Sequence, residues 1–255
     1  MSSRVSDGFT IIETTLFLAV SALLILTMIV GAGASLNVQR YRDSVTSFKS
    51  LIQQQYAGLS SVQNGRSDDK TCTAAAAPTS GTDGRGQSNC FLVGKYMRID
   101  RGDIAIYSVL ARQVSSSGTG SDIAKLRSNY ALNVDTDAVE RKQMEWGTQI
   151  AYPAAEPAPT PRTLGLFFVR SPDSGQVYTF ADTSIPAPDS VSQATFTRML
   201  VDGTGTPGRG EQTICVASTG LVTTGDMAVY IAPYAANASA VETRSNDMVS
   251  KALQC

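Results

Sequence analysis

One long apolar segment near the N-terminus limits what this chain of 255 residues can fold into. No charged residue lies between Thr14 and Ala34, and residues 9–12 add Phe9, Ile11 and Ile12 to the run. A helix needs about 20 predominantly apolar residues to cross a bilayer. The sequence therefore predicts a transmembrane helix over residues 9–34.

The acidic residue within this segment is Glu13. A carboxylate in an apolar transmembrane helix costs on the order of 2.5 to 3.5 kcal/mol on insertion scales. A residue kept at such a cost normally has a partner and a function. Glu13 is therefore the first candidate site residue.

The apolar pattern continues beyond the membrane segment with the period of an amphipathic helix. Steps of three and four residues connect Val38, Tyr41, Val45, Phe48, Ile52, Gln55, Leu59 and Val62, which are apolar except for Gln55. Asn64 and Gly65 form a reasonable C-terminal stop. We predict that residues 35–64 extend the same helix and lay this stripe on a sheet.

Residues 65–255 are predicted to form a globular domain rich in β-strands, because short β-type runs alternate with turn residues. Strands are predicted at 91–99, 104–114, 164–170, 176–180, 212–217 and 227–232, with another within 139–152, around Met144 and Trp146. Short helices are predicted at 122–130, 190–201 and 246–253, and residues 67–89 are interpreted as a loop. The fold class is thus α+β, a long helix packed on an antiparallel sheet.

The cysteines Cys72, Cys90, Cys215 and Cys255 show no C-x-x-C spacing. Behind an export segment an even number of cysteines indicates disulfides. Three pairings are available, and we favour the sequence-local one, Cys72 with Cys90 and Cys215 with Cys255. Each bond would stabilise the fold by about 3 to 4 kcal/mol in the chain-entropy model. Four free thiols in a reducing compartment are the alternative.

The chain contains no histidine, and its net charge is −1. The absence of histidine removes Ser-His and Cys-His nucleophile pairs and histidine metal ligands. We therefore predict a protein that is not an enzyme and that has no cofactor or metal. The small net charge argues against nucleic acid as a partner. An enzyme built on Asp, Glu, Lys or Tyr is the alternative, and it requires such groups to converge in a cleft.

The residues around Glu13 resemble a known signal. The run Gly8-Phe9-Thr10-Ile11-Ile12-Glu13 is similar to the class III signal of type IV prepilins, the family of type IV pilins, minor pilins and type II secretion pseudopilins. The resemblance implies that residues 1–8 are a leader, that a prepilin peptidase cuts after Gly8, and that Phe9 becomes a methylated N-terminus. It also implies that Glu13 pairs with the Phe9 amine of a neighbouring subunit or of its own chain. The strong resemblance covers residues 8–42.

The resemblance further implies a pilin-like fold and a structural role in a type IV pilus or related filament. The length of 255 residues exceeds that of a typical major pilin of this family, which favours a minor pilin, a tip subunit or a secretion-type pseudopilin, with a minor pilin as the first expectation. The implied partners are other pilin subunits through helix–helix packing, the prepilin peptidase, and the membrane before assembly. The implied location is a single membrane pass with an extracytoplasmic C-terminal domain, and then the cell surface. The alternatives are a pseudopilin of a secretion or DNA-uptake system, or an adhesive module displayed by the filament.

Two simpler interpretations of the N-terminal segment also stay open. Ala32-Gly33-Ala34 before Ser35 is an acceptable signal-peptide cleavage site, although the apolar stretch exceeds the usual h-region of about 7 to 15 residues. A plain transmembrane anchor is the other interpretation. Neither gives Glu13 a role.

Overall fold

The computed structural model describes residues 10–60, 70–81, 88–153, 160–187, 190–218, 227–245 and 255. The helices are α1 (Ile11–Ser60), α2 (Asp122–Asn129) and α3 (Gln193–Met199). The strands are β1 (Lys70–Cys72), β2 (Pro78–Ser80), β3 (Cys90–Asp100), β4 (Asp103–Gln113), β5 (Tyr130–Gln143), β6 (Thr148–Ala151), β7 (Thr163–Arg170), β8 (Val177–Asp182), β9 (Gln212–Ser218), β10 (Met227–Ile231) and β11 (Val241–Ser245). Turns at Glu145–Gly147 and Ala238–Ala240 are 3-10 helical.

Helix α1 is continuous over 50 residues, about 75 Å at 1.5 Å per residue. Its C-terminal half buries one face, formed by Tyr41, Ser44, Val45, Phe48, Ile52, Gln55, Tyr56 and Leu59. The predicted stripe is confirmed from Tyr41 to Leu59 and is widened by Ser44 and Tyr56. Val38 is half-buried, and Val62 lies outside the described residues.

The strands form two larger antiparallel sheets and one small hairpin. The five-stranded sheet has the order β5-β4-β3-β7-β8, and the four-stranded sheet has the order β11-β10-β9-β6. Strands β1 and β2 pair with each other within residues 67–89, so the loop predicted there is wrong for residues 70–72 and 78–80. The predicted α+β class, with a long apolar N-terminal helix and antiparallel strands, is confirmed.

The stripe of α1 packs on side chains from both larger sheets in one continuous core. In β7, Leu166 and Phe168 point into this core, whereas Phe167 and Val169 point to the opposite face. That second face is covered by α2 and α3, whose Leu126, Phe196 and other apolar side chains form a second core with it. The alternation follows from the two-residue period of a strand. Strand β7 is therefore buried on both faces.

Most predicted strands are observed, but the single strand predicted around Met144 and Trp146 is wrong, because the chain turns there between two strands. Strand β5 ends at Gln143 in the five-stranded sheet, and β6 begins at Thr148 in the four-stranded sheet. Between them the chain turns through Trp146, which has φ 57° and ψ 28°. The prediction also missed the first half of β5 and all of β11. The helix predicted at 246–253 lies outside the described residues.

Both disulfides join the cysteine pairs that are nearest in sequence. Cys72 is bonded to Cys90 and closes 18 residues, and Cys215 is bonded to Cys255 and closes 40 residues. The first bond ties the β1–β2 hairpin to the start of β3. The second ties the last residue of the chain to β9, the inner strand between β10 and β6.

Polar side chains of α1 form hydrogen bonds that help to fix its axial position relative to the sheets. The Tyr41 hydroxyl donates to the Val216 carbonyl at 2.7 Å and accepts from the Met227 amide at 2.8 Å. The Gln53 amide group donates to the carbonyl oxygens of Ala238 and Val241 at 3.0 and 3.2 Å. These directional bonds act together with the interdigitated apolar side chains to fix the axial position of α1.

We expect Tyr41→Phe to lower the free energy of unfolding by about 1 to 3 kcal/mol, because two backbone groups at the end of β9 and β10 lose a buried partner. Urea titration of the full chain in detergent micelles measures the change. Tyr234→Phe is the control, because that side chain is 51% exposed and surface changes stay within about 0.5 kcal/mol. Equal losses in the two variants would contradict the anchoring role.

Candidate functional site

The N-terminal half of α1 projects from the packed domain. All side chains from Thr10 to Leu36 are exposed except Ser21, which is half-buried. The large apolar ones are Ile11, Ile12, Leu16, Phe17, Leu18, Val20, Leu23, Leu24, Ile25, Leu26, Met28, Ile29, Val30 and Leu36. They lie on every side of the helix, so this half has no polar face to present to water. We call residues 10–36 the exposed segment.

The burial energy available to the exposed segment is large. Full burial stabilises a large apolar side chain by about 1.5 to 3 kcal/mol, so the fourteen side chains together represent about 20 kcal/mol or more. That exceeds the net stability of a typical domain, which is about 5 to 15 kcal/mol. A cover of lipid or of other apolar helices is therefore the physical requirement of this segment.

The dimensions of the exposed segment match those of a bilayer. Helix α1 is long and apolar enough to cross a membrane, with none of its most apolar window buried in the domain. Leu16 and Leu36 are about 30 Å apart along the axis, the thickness of the hydrocarbon core. The nearest charged residues on either side are Glu13 and Arg40, about 40 Å apart, which is close to the full bilayer thickness with headgroups. This geometry is consistent with a single-pass membrane protein.

Glu13 lies in the first turn of α1, where it and Thr10 bond each other reciprocally. The Glu13 carboxylate accepts from the Thr10 amide at 3.3 Å and from the Thr10 hydroxyl at 3.4 Å, and the Glu13 amide donates to the Thr10 hydroxyl oxygen at 3.3 Å. This is the capping-box arrangement, which satisfies amide groups at a helix start. Its T-x-x-E pattern is visible in the sequence, and the sequence interpretation missed it.

The two Thr10 groups that donate to the Glu13 carboxylate are neutral, so these hydrogen bonds do not neutralise its negative charge. A carboxylate also interacts favourably with the positive end of the helix dipole, by about 0.3 to 1 kcal/mol at exposed positions. The local structure thus holds the carboxylate in place at the helix start. Phe9 and Gly8, the predicted processing residues, lie outside the described residues.

The cysteines are not brought close to Glu13. Cys72 and Cys90 pack with Ala76 and Leu110, and Cys215 packs with Ala151 and Ala217. Both disulfides belong to the β-rich domain, and their position indicates a structural role. The candidate site therefore consists of the exposed segment with the Thr10–Glu13 pair at its end.

An enzyme would require acidic, basic or phenolic groups that converge in a cleft. Beside α1 a groove of about 420 Å³ contains Lys142 and Glu145. Lys142 forms an ion pair with Glu140 at 2.9 Å, and the Glu145 carboxylate accepts from Ser47 at 3.5 Å. Among the described residues, no group of three or more Cys, Asp or Glu is arranged to hold a metal ion.

A second polar cluster connects α2 to the β7–β8 hairpin. The Asp122 carboxylate accepts from the hydroxyls of Ser174 and Tyr178, the latter at 3.1 Å. The Ser174 hydrogen bond lowers the pKa of Asp122, and burial raises the pKa of Tyr178. At neutral pH the carboxylate is therefore charged and the phenol protonated. That combination suits a structural hydrogen bond, since neither shift makes a nucleophile or a base.

Comparison of the chain with family models, with curated proteins and with solved structures found no match.

We expect Thr10→Ala to loosen the first turn of α1. Loss of an N-cap hydroxyl costs about 0.5 to 2 kcal/mol, so the Glu13 amide should exchange hydrogen about 2 to 30 times faster. Hydrogen exchange of the full chain in micelles, read by peptide mass or NMR, measures this rate.

Thr27→Ala is the matched control, because the Thr27 hydroxyl donates to the Leu24 carbonyl in the middle of the same helix. It should leave exchange at Glu13 unchanged. An unchanged rate in Thr10→Ala would show that the capping pair does not hold the helix start.

Proposed function

We propose that this chain is a structural subunit of a type IV pilus or a related filament, in the class of minor pilins. The observation that carries the proposal is one continuous helix with two different halves. Residues 10–36 are apolar on all sides and exposed. From Tyr41 onward the helix buries one face against two antiparallel sheets. The prepilin-like signal ending at Glu13 supports the same function.

In the proposed pathway the exposed segment first lies in the membrane and then packs with the same segment of other subunits. Both surroundings are apolar, so transfer between them neither gains nor loses much hydrophobic burial. Close packing of helices then supplies the favourable term. Residues 31–35 are all Gly, Ala or Ser, and small residues allow helices to approach closely.

In this pathway the charge of Glu13 fixes the axial position of one subunit relative to its neighbour. Cleavage after Gly8 would create an α-amino group on Phe9, and such a group has an ordinary pKa of about 7.7 to 8.0. It is therefore mostly positive at neutral pH. Two unit charges 4 Å apart interact by about 4 kcal/mol at an effective dielectric constant of 20. A neighbouring subunit that is shifted along the axis would lose this pairing, so the pair selects one axial position.

The first test is the mature N-terminus of the protein isolated from its native cell. Intact mass and N-terminal peptide analysis should show a chain that begins at Phe9 and carries one methyl group. A chain that begins at Ser35, or one that keeps Met1, would overturn the proposal. The protein would then be a secreted or simply anchored β-rich domain.

The second test separates the charge of Glu13 from its capping role. Glu13→Gln retains an amide oxygen that can accept from Thr10 but removes the charge. We expect at least a tenfold loss of protein in the sheared filament fraction, since a tenfold change requires only about 1.4 kcal/mol. The amount of protein in the membrane fraction should stay the same.

Thr10→Ala is the matched variant, because it weakens the cap and keeps the carboxylate. It should retain filament incorporation near the level of the unmodified chain. If instead Thr10→Ala abolishes incorporation and Glu13→Gln does not, Glu13 acts only as a helix cap, and the proposed role of its charge is wrong.

A further inference from the structure

Trp146 is the single tryptophan of the chain, and its position is unusual. It lies in the turn Glu145–Gly147 between the two larger sheets, and its side chain is 52% exposed. Its backbone is in the left-handed region, at φ 57° and ψ 28°. For a bulky residue that conformation costs on the order of 1 to 3 kcal/mol. Burial of the indole in the domain core does not offset this cost.

The turn is fixed firmly against α1. The Ser44 hydroxyl donates to the Glu145 carbonyl at 3.2 Å and lies 2.6 Å from the Thr148 hydroxyl. The guanidinium of Arg40 lies over the indole ring, 4.8 Å from its centroid. A cation over an aromatic face is favourable by about 0.5 to 1 kcal/mol at an exposed site. Trp146 is thus held beside α1 at Arg40, just C-terminal to the exposed segment.

The rise of the helix gives the distance along its axis between the exposed segment and the pair of Arg40 and Trp146. If Leu16 and Leu36 mark the two boundaries of the hydrocarbon core, Arg40 lies about 6 Å beyond the outer boundary. A bilayer of about 40 to 45 Å with a core of about 30 Å has headgroup layers about 5 to 8 Å thick. Arg40 and the ring stacked on it therefore fall within one headgroup layer.

We propose that Trp146 and Arg40 form an interfacial anchor that contacts the phospholipid headgroups on the extracytoplasmic side of the membrane. Tryptophan is enriched at this depth because its ring is apolar and its indole N–H is polar. Arginine extends its apolar stem along the helix and presents its charge to lipid phosphates. Arg42 adds a second positive charge to this region, whereas Asp43 and Glu145 add negative ones. The mixed charge fits zwitterionic headgroups and does not require anionic lipid.

The anchor fixes how deep the domain sits and which side of the domain faces the membrane. It rests on the membrane-spanning part of the proposed function and is independent of filament assembly. The half-exposed, left-handed tryptophan then has a physical reason, because its ring is placed outside the domain core to reach the headgroups.

The experiment uses the full chain reconstituted into phosphatidylcholine vesicles, with Trp146 as the only source of tryptophan emission. Nitroxide is placed on the headgroup or near the middle of the acyl chain in separate preparations, and iodide is the aqueous quencher. We expect the headgroup nitroxide to remove most of the emission, the mid-chain nitroxide to remove little, and iodide to quench weakly.

The double variant Trp146→Phe/Tyr234→Trp is a matched control. Tyr234 is also left-handed at φ 57°, is 51% exposed, and lies 4.8 Å under the guanidinium of Arg209. Tyr234 lies in the turn that follows β10. In this turn the Ala232 amide donates to the Ala240 carbonyl, close to the contact of Gln53 with Ala238. Gln53 lies about 20 Å further along α1 than Arg40. The emission of the double variant should be quenched by iodide and not by either lipid nitroxide.

Flotation of the same vesicles separates this inference from the proposed function. In one outcome the protein floats with the vesicles, but iodide quenches Trp146 as strongly as it quenches the indole of the Trp146→Phe/Tyr234→Trp variant. This outcome overturns the anchor and leaves the membrane span intact. Protein that does not float overturns the membrane span and the anchor together. Quenching mainly by the mid-chain nitroxide would also overturn the anchor, because the ring would then lie too deep.

Discussion

The structure depends on one unbroken hydrogen-bonded helix that serves two different surroundings. The N-terminal half of α1 satisfies its backbone groups internally, as any segment in lipid must, and exposes apolar side chains on all sides. The C-terminal half changes to a one-sided stripe and becomes part of the domain core. Because a helix rises a fixed 1.5 Å per residue, the number of residues between Leu36 and Tyr41 determines how far the domain stands from whatever covers the exposed segment.

The β-rich domain is organised around this helix. Its four-stranded and five-stranded sheets both contribute side chains to the core that contains Val45, Phe48 and Ile52. The two sheets are also joined by Arg162, whose buried guanidinium donates to the Thr213 carbonyl at 2.8 Å and to the Gln212 side chain at 2.9 Å. Burial lowers the pKa of Arg162, yet an arginine stays charged at neutral pH. The packing of α1 and the hydrogen bonds of Arg162 thus both connect the two sheets.

The sequence predicted those parts of the fold in which residue pattern and surroundings agree. The apolar segment, the stripe and the hairpin of β7 and β8 have strong periodicity or strong turn residues. The first half of β5 was missed because Asn133 and Asp135 are residue types that are depleted in strands, although the buried residues between and before them recur at the two-residue period of a strand. Strand β11 is short and carries Glu242 and Arg244, so its sequence shows no apolar pattern. The division of the strands into two sheets depends on the left-handed turn at Trp146, and no local propensity predicts that conformation for a tryptophan.

The candidate site was predicted as a set of residues but not as a geometry. The unusual charge at Glu13 is visible in a window of apolar residues, whereas its bonds with Thr10 depend on where the helix begins. The role of Trp146 was also not visible, because its value as an interfacial group comes from its place beside Arg40, 106 positions earlier in the chain. Contacts of that kind are set by tertiary packing, which a one-dimensional pattern does not contain.

The two charged residues that flank the exposed segment impose a condition on the proposed assembly. With Leu16 and Leu36 at the core boundaries, Glu13 and Arg40 each lie in a headgroup layer, and neither charge enters the hydrocarbon. Moving the helix outward by two turns, about 11 Å, would bring Glu13 into the apolar core, where a lone carboxylate costs on the order of 2.5 to 3.5 kcal/mol. Contact of the carboxylate with a positive amine on another subunit offsets part of that cost. Under the proposed function, a subunit therefore leaves the membrane at low cost only when a correctly placed partner is present, and the same carboxylate that holds the helix start also opposes release of an unpaired subunit.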